Sequence, residues 1–341
     1  MYPIYFIMTT GRTGSDYLQA CLDGVKGLLT FSGKFEYQNF LKKYKNIDNQ
    51  ELIEKFIDIN LDIFKFNKIE NINTDVDIIK FRRNFINLSK GIVISNKNFL
   101  FYLYKAYYLI KEKDLTEAKA IIHHTHGLKN TINCLKDFPE AKLLITIRDP
   151  RANLKSGLTN WFRYDESKIH MKHIFLYIKR IREDLKYVLS LPNKKMFIKL
   201  EDAGKIDTKK SLCDFLNIDY DKRIEVATLN SKIWNGDSLS VSKPNNGEFN
   251  REINNNGWQN YFLKKEIVFF NKIYSDYNIF GYSLPKGNFL DKLCMLGWVF
   301  KKFSFEKKTF FFNKNLYMKI TNYYFFARRL IYTLKLIMFS K

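Results

Sequence analysis

The sequence predicts an α/β fold three layers deep: helices on both faces of a central, mostly parallel sheet, with a helical extension at the C-terminus. Three observations predict it. Apolar runs of strand length recur along the chain, segments of helical spacing separate them, and two of the runs end in turns suited to anions. Strands alternating with helices at this spacing need parallel pairing and cover both faces of the sheet.

The first expected strand is 4–8, followed by the turn Thr9-Thr10-Gly11-Arg12-Thr13-Gly14-Ser15 and a helix over 16–24. Residues 35–85 read mostly as helix with polar breaks, an insertion of about 37–90. An apolar triplet at 92–94 reads as a strand, 99–113 as a helix, 120–122 as a strand and 130–137 as a helix. Strand 143–147 runs into Arg148-Asp149-Pro150-Arg151, where Pro150 suits the first turn of a helix over 152–161. A helix at 170–191, a strand at 196–200 and a helix at 209–216 follow. Residues 235–257 form a long turn-rich stretch, and helical spacing resumes over 258–277. Pro285-Lys286-Gly287 marks a seam, giving a domain over 1–285 and an extension over 286–341.

Composition bounds the setting. The 341 residues carry 57 Lys and Arg against 35 Asp and Glu, a net charge of +22, and part of this excess fits a chain rich in Ile, Asn and Lys throughout. Residues 286–341 hold ten Lys and two Arg against Asp291 and Glu306, together with fifteen Phe, Tyr and Trp residues. Basic residues mixed with aromatic rings suit an anionic membrane surface. A docked amphipathic helical pair and a nucleic-acid surface are the alternatives, the latter without any recognition motif. Cys21, Cys134, Cys213 and Cys294 are scattered, which fits a reducing compartment without disulfides or a cysteine-based zinc site. The first apolar run lacks a basic lead-in and reads as a strand. The most apolar tail stretch, 323–339, is broken by Arg328, Arg329 and Lys335. The expected location is the cytoplasm, with peripheral contact to the inner face of a membrane.

The two turns carry the chemistry. At a helix N-terminus, unpaired N–H groups and the dipole favour an anion. Gly11 and Gly14 let the backbone wrap closely, Arg12 supplies charge, and Thr13 and Ser15 supply hydroxyls. The pattern G-x-x-x-x-G-K-[ST] is absent, which disfavours an ATP- or GTP-hydrolysing loop. Arg148, at the C-terminal end of its strand, suits a bidentate phosphate or sulfate contact. Two such sites suit the two ends of one doubly charged nucleotide.

In this order and spacing, the elements resemble the sulfotransferases that use 3′-phosphoadenosine 5′-phosphosulfate (PAPS), closer to bacterial and carbohydrate-type members. Residues 5–15 resemble the family's 5′-phosphosulfate loop, and residues 138–151 with Ser156 resemble its 3′-phosphate element. Leu200-Glu201-Asp202 and Phe215-Leu216-Asn217-Ile218 are similar to a later "E-D-L … F-L-G" segment. Arg251, Gly257 and Trp258, with Phe280-Gly281-Tyr282 after them, are similar to the closing nucleotide loop. The resemblance spans roughly 3–283 and implies a P-loop-like sulfotransferase fold, PAPS as sulfuryl donor and a hydroxyl acceptor. It places Gly11, Arg12, Thr13, Gly14, Ser15, Asp16, Arg148, Ser156, Arg251, Gly257 and Trp258 at the nucleotide. Asp16 departs from the pattern, since a carboxylate repels a sulfonate; it suits a helix cap or an acceptor hydroxyl. The compact R-K-G run is missing, leaving Lys243 and Arg251 both open as 3′-phosphate partners.

Arg12 is expected to stabilise charge during transfer, and a general base has two candidates. Glu36, after the first helix, resembles the glutamate region of carbohydrate sulfotransferases. His126, in His123-His124-Thr125-His126, resembles the family's "K-T-H" histidine, with His124 in place of the lysine. His124 and His126 share a strand face, yet further ligands are not identifiable in the sequence, so no metal is expected. The acceptor expected is a saccharide or glycan intermediate. A kinase-like phosphotransferase and a non-catalytic polyanion- or nucleotide-binding protein are the alternatives.

Overall fold

The computed structural model describes residues 2–44, 46–67, 72–111, 113–164, 170–236, 246–250, 257–285, 295–297, 299–312 and 315–339. In chain order these form β1 (Ile4–Thr9), α1 (Ser15–Leu22), β2 (Leu28–Leu29), α2 (Tyr37–Tyr44), α3 (Asn49–Ile59), α4 (Leu61–Phe64), β3 (Phe66–Asn67) and β4 (Ile72–Asn73). Next come α5 (Ile78–Ser89), α6 (Asn96–Ile110), β5 (Ala120–His124), α7 (Leu128–Asp137), β6 (Lys142–Ile147), α8 (Pro150–Tyr164), α9 (Met171–Ser190), β7 (Lys195–Lys199) and α10 (Ile206–Leu216). Finally there are β8 (Thr228–Leu229), β9 (Lys232–Ile233), α11 (Trp258–Tyr261), α12 (Lys264–Ile273), α13 (Ser304–Phe312) and α14 (Leu316–Phe339). They make two compact units. One holds Met1–Thr9, Thr13–Ile147 and Pro192–Asn254; the other holds Thr10–Arg12, Arg148–Leu191 and Asn255–Lys341. The seam expected after residue 285 falls inside the second.

The first unit is built on a five-stranded sheet in the order β2-β5-β1-β6-β7, every neighbour parallel. All six residues of β1 are buried, as a central strand covered on both faces requires. Because successive side chains alternate, Tyr5 and Ile7 enter a core with Tyr17 and Leu18 of α1 and Leu212 and Leu216 of α10. Phe6 takes the opposite side and packs edge-on against His123 and Phe138. Register sets Ile7 beside His124 and Thr9 beside Thr146, so the C-terminal ends of β1, β5 and β6 lie together. The helical insertion resolves into α2 to α5 around an aromatic core in which Phe31 stacks on Tyr107 at 4.2 Å. Asn217 ends α10 in the left-handed region at φ 56°, the conformation that glycine adopts most readily at a helix C-terminus.

One expectation about strands is corrected. Residues 92–94 form no strand: the triplet is irregular backbone between α5 and α6, and Val93 is 91% exposed. Ile92 and Ile94 instead line an open, largely apolar groove of about 490 Å³ with Leu41, Leu52 and Ile86, which holds none of the expected site residues. The fifth strand is β2, whose two residues pair with β5 and are too few to show a period.

The second unit is helical among its described residues. The helix expected over 258–277 is broken into α11, α12 and a tighter 3₁₀ turn at Ser275–Phe280. The C-terminal helix α14 packs along α9, where Tyr332 donates to Glu183 at 2.8 Å and Phe175 meets Tyr332 edge-on. Among the described residues no helix is long and apolar enough to cross a membrane.

Candidate functional site

In the second unit, Gly11 and Arg12 occupy successive left-handed positions, φ 92° and 54°. Such a pair bends the backbone into the concave form that suits an anion. A Cβ on Gly11 would come within 2.6 Å of the Arg180 guanidinium, so glycine is required by space as well as by conformation. Arg12 donates from Nε to Ser156 Oγ at 3.4 Å, joining the turn to the first half of α8. Asn153, one turn earlier, donates to Thr10 Oγ1 at 3.4 Å and accepts from the Tyr177 hydroxyl at 2.5 Å. Gly157 leaves room for that ring, since a Cβ there would lie 2.3 Å from Tyr177 Cε1.

Electrostatics show how these cations gather. Burial pushes the Tyr177 phenol up to about 12, and Arg180, Arg12 and Arg148 each restrain the rise. Lys155 is lowered by burial and by repulsion from Arg148. Arg12, Arg148 and Arg180 therefore act on one place, together with Lys155 and the Ser156 hydroxyl. Clustered guanidinium groups of this kind are matched to phosphate and sulfate oxygens. Arg180 was invisible as a site residue in the sequence, where it reads as an ordinary cation on a long helix.

The two arginines of Arg148-Asp149-Pro150-Arg151 take different roles. Arg151 is buried and grips Asp149 with two bonds of 3.0 and 2.7 Å, donates to Asn271 at 2.8 Å and to the Ser283 carbonyl at 3.1 Å, and lies 3.9 Å over the Trp258 ring. It locks the start of α8. Arg148 remains with the cluster. Trp258 is buried against Arg151, and its indole N–H has no partner among the described residues. Gly257 directly precedes α11. Arg251 and Lys243 lie outside the described residues.

In the first unit, Thr13 is buried and its hydroxyl meets those of Thr9 at 2.6 Å and Thr146 at 2.7 Å. That side chain ties the turn to the sheet, leaving backbone as what Thr13 offers an anion. Gly14, at φ 83°, precedes α1, and a Cβ there would strike Leu200 at 2.4 Å. Ser15 is buried at the start of the helix.

Asp16, in the first turn of α1, pairs with Lys34 and lies 3.6 Å from His124 Nδ1. Burial raises its pKa, but the Lys34 ammonium overcomes this and holds the carboxyl well below its usual range. Burial, reinforced by Lys34, pushes His124 well below the ordinary imidazole value. Gln19 donates to the carbonyls of Phe31 at 2.8 Å and Gly33 at 3.3 Å, which turns its amide oxygen toward His124 Nδ1 at 2.7 Å. His124 therefore carries its proton on Nδ1, an assignment fixed by the hydrogen-bond network.

Of the two base candidates, His126 is exposed, holds φ 48° just past β5 and stacks edge-on to His124, with ring centroids 5.5 Å apart. Glu36 is exposed and accepts from Asn39 and, at 2.6 Å, from Asn130. His123 points the other way, bonds Tyr104 at 3.0 Å inside the aromatic core, and burial pushes it down to about 3. Lys34 and Gln19 went unrecognised in the sequence. The signal that finds them is strand adjacency: once β5 lies beside β1, the residues after both strands must meet.

No protein-family model matches the sequence, and no curated protein matches it. Among solved structures, the chain is similar to the sulfotransferase domain of the olefin synthase from Synechococcus PCC 7002, at 17% identity, covering 83% of this chain and 96% of that one with a TM-score of 0.45. It is similar to the sulfotransferase domain from the curacin biosynthetic pathway at 14% identity, with coverage of 84% and 99% and a TM-score of 0.49. Retinol dehydratase, in complex with androsterone and the inactive cofactor PAP, matches at 16% identity, with coverage of 82% and 81% and a TM-score of 0.35. The strand order and parallel register, not these likenesses, define the fold.

Proposed function

We propose that this chain is an enzyme that moves a sulfuryl group from PAPS to an acceptor hydroxyl. The observation that carries the reading is the convergence of Arg12, Arg148 and Ser156, from turns more than a hundred residues apart, on one cationic cluster with Arg180. Arg148 and Ser156 hold the 3′-phosphate, and Gly11 and Arg12 receive the 5′-phosphosulfate. Gly257 and Trp258 complete the nucleotide set. The acceptor oxygen attacks sulfur, the bond from sulfur to the bridging oxygen breaks, and the 3′,5′-bisphosphate departs with the electron pair. Arg12 and the turn neutralise that developing charge, and the acceptor proton passes to Glu36 or His126.

A saccharide acceptor is supported by the polar group around Glu36, where Asn39 and Asn130 present amides of the kind that bond sugar hydroxyls. A cytoplasmic protein working at the inner membrane face is supported by α14. This helix exposes Leu316, Tyr317, Ile320, Tyr323, Tyr324, Ile331 and Met338 beside Lys319, Arg328 and Lys335, with no acidic residue along its length.

Calorimetric titration with the 3′,5′-bisphosphate tests the reading. Arg148→Ala is expected to weaken binding at least about tenfold, the cost of one charge-assisted pair, with the melting temperature unchanged. Equal affinity in the variant would remove the nucleotide assignment.

A further inference from the structure

We infer that Asp16, His124 and His126 form a binding site for a divalent first-row transition ion of the zinc type. Each offers one ligand atom, and the three atoms lie within 4.8 Å of one another. All three belong to the first unit.

The decisive group is His124. The residue is 3% exposed, its Nδ1–H is committed to Gln19, and its Nε2 is buried with no hydrogen-bond partner among the described residues. With the proton on Nδ1, Nε2 is a bare lone pair. A buried acceptor with nothing to accept is costly, unless that lone pair has an occupant. Gln19 does for His124 what outer-shell carbonyls do for metal-bound histidines, receiving the distal N–H so that ring and tautomer are fixed before the ion arrives.

Two imidazoles and one carboxylate make a borderline N,N,O set, which suits zinc and its neighbours rather than calcium or magnesium. Bonds of about 2.0–2.2 Å bring tetrahedral ligand atoms to about 3.4 Å from one another. The exposed His126 and the half-buried Asp16 supply the small closure required. Three protein ligands also leave a fourth position open.

Lys34 is the resident competitor. Its ammonium pairs with Asp16, and its side chain is 27% exposed on a flexible stem. A doubly charged ion must displace it, and this gives the site a signature that a simple hydrogen-bonded cluster lacks: removing Lys34 should strengthen binding.

The inference is independent of sulfuryl transfer and is read without nucleotide or acceptor. The full chain, stripped with chelator and desalted, is titrated with Zn²⁺ by calorimetry and with Co²⁺ by visible absorption. One ion per chain with ligand-field bands is expected. Asp16→Asn, His124→Asn and His126→Ala should each weaken binding at least about tenfold, and Lys34→Met should tighten it severalfold. His126 is exposed, so its variant reports even if His124→Asn fails to fold. No stoichiometric Co²⁺ binding by the wild type, or affinity unchanged in His126→Ala and Lys34→Met, would overturn the site.

Discussion

Asp184, on α9, is nearly buried and has a carboxylate oxygen that no donor reaches among the described residues. Burial raises its pKa to about 6 against an ordinary 3.8; the opposing pull of Arg180 is too weak to prevent it, and Glu183 adds to the rise. A raised carboxyl favours the folded state while protonated and loses that advantage as pH climbs. Below pH 3.8 both folded and unfolded chains hold the proton, so there is no penalty; it grows between 3.8 and about 6 and is complete above. The interval corresponds to about 2–3 kcal/mol at about 1.4 kcal/mol per pH unit. Asp184→Asn is therefore expected to stabilise the protein by that order at pH 8 and hardly at all near pH 4. Denaturant melts at the two pH values decide it, and a variant no more stable than wild type at pH 8 contradicts the assignment. This residue could not be singled out in the sequence, because its environment depends on which helices meet α9. Arg12 and Arg148 were legible because glycine, proline and strand ends announce their turns locally. Lys34 and Arg180 were not, since what makes them site residues is the neighbour each acquires only after folding.

Elements read well where the chain itself marks them. β1, β5, β6 and β7 fall within a residue or two of the expected runs in strand start or end, the first three because buried strands impose continuous apolar stretches. The failure at 92–94 shows the limit: an apolar triplet has no inherent partner, and here it lines a groove instead of a sheet. The C-terminal helices hold a feature that pattern alone would misjudge. Arg328 and Arg329 look alike as interruptions of an apolar run, yet Arg328 is exposed and Arg329 is 1% exposed. Arg329 donates to Glu306 at 3.0 Å and to the carbonyls of Val299 and Lys301 at 2.9 Å each, and lies over the rings of Phe303 and Phe326. Glu306 in turn accepts from the Phe303 N–H at 2.9 Å. Breaking such a pair strands a buried carboxylate and costs about 3–5 kcal/mol. Arg329→Met is expected to lose stability on that scale, and Arg329→Met with Glu306→Gln to regain part of it. A single variant that unfolds at the wild-type denaturant concentration refutes the pairing.

At the scale of the molecule, net charge and its placement matter more than any one contact. Residues 286–341 carry about +10 of the +22, and α14 combines exposed rings and aliphatic side chains with cations and no carboxylate. Deleting the segment is a poor test of membrane contact, because Arg329, Tyr332 and Asn322 are built into the second unit through Glu306, Glu183 and the Met171 N–H. Surface substitution leaves those contacts in place. Tyr317, Ile320, Tyr324 and Ile331 are each more than half exposed, so changing all four to Ser removes apolar surface from water rather than from a core. An in-plane helix draws affinity from insertion of its apolar face and from attraction to anionic headgroups together. Wild-type protein is thus expected to sediment with vesicles containing phosphatidylserine or phosphatidylglycerol, and weakly with phosphatidylcholine alone. The fourfold variant should lose most of this sedimentation while binding the 3′,5′-bisphosphate as before. Raised salt should weaken the wild type without abolishing its binding, since insertion is not screened while the charge term is. Equal sedimentation of variant and wild type would show that charge alone holds the protein to the vesicle, and that the apolar face of α14 has another use.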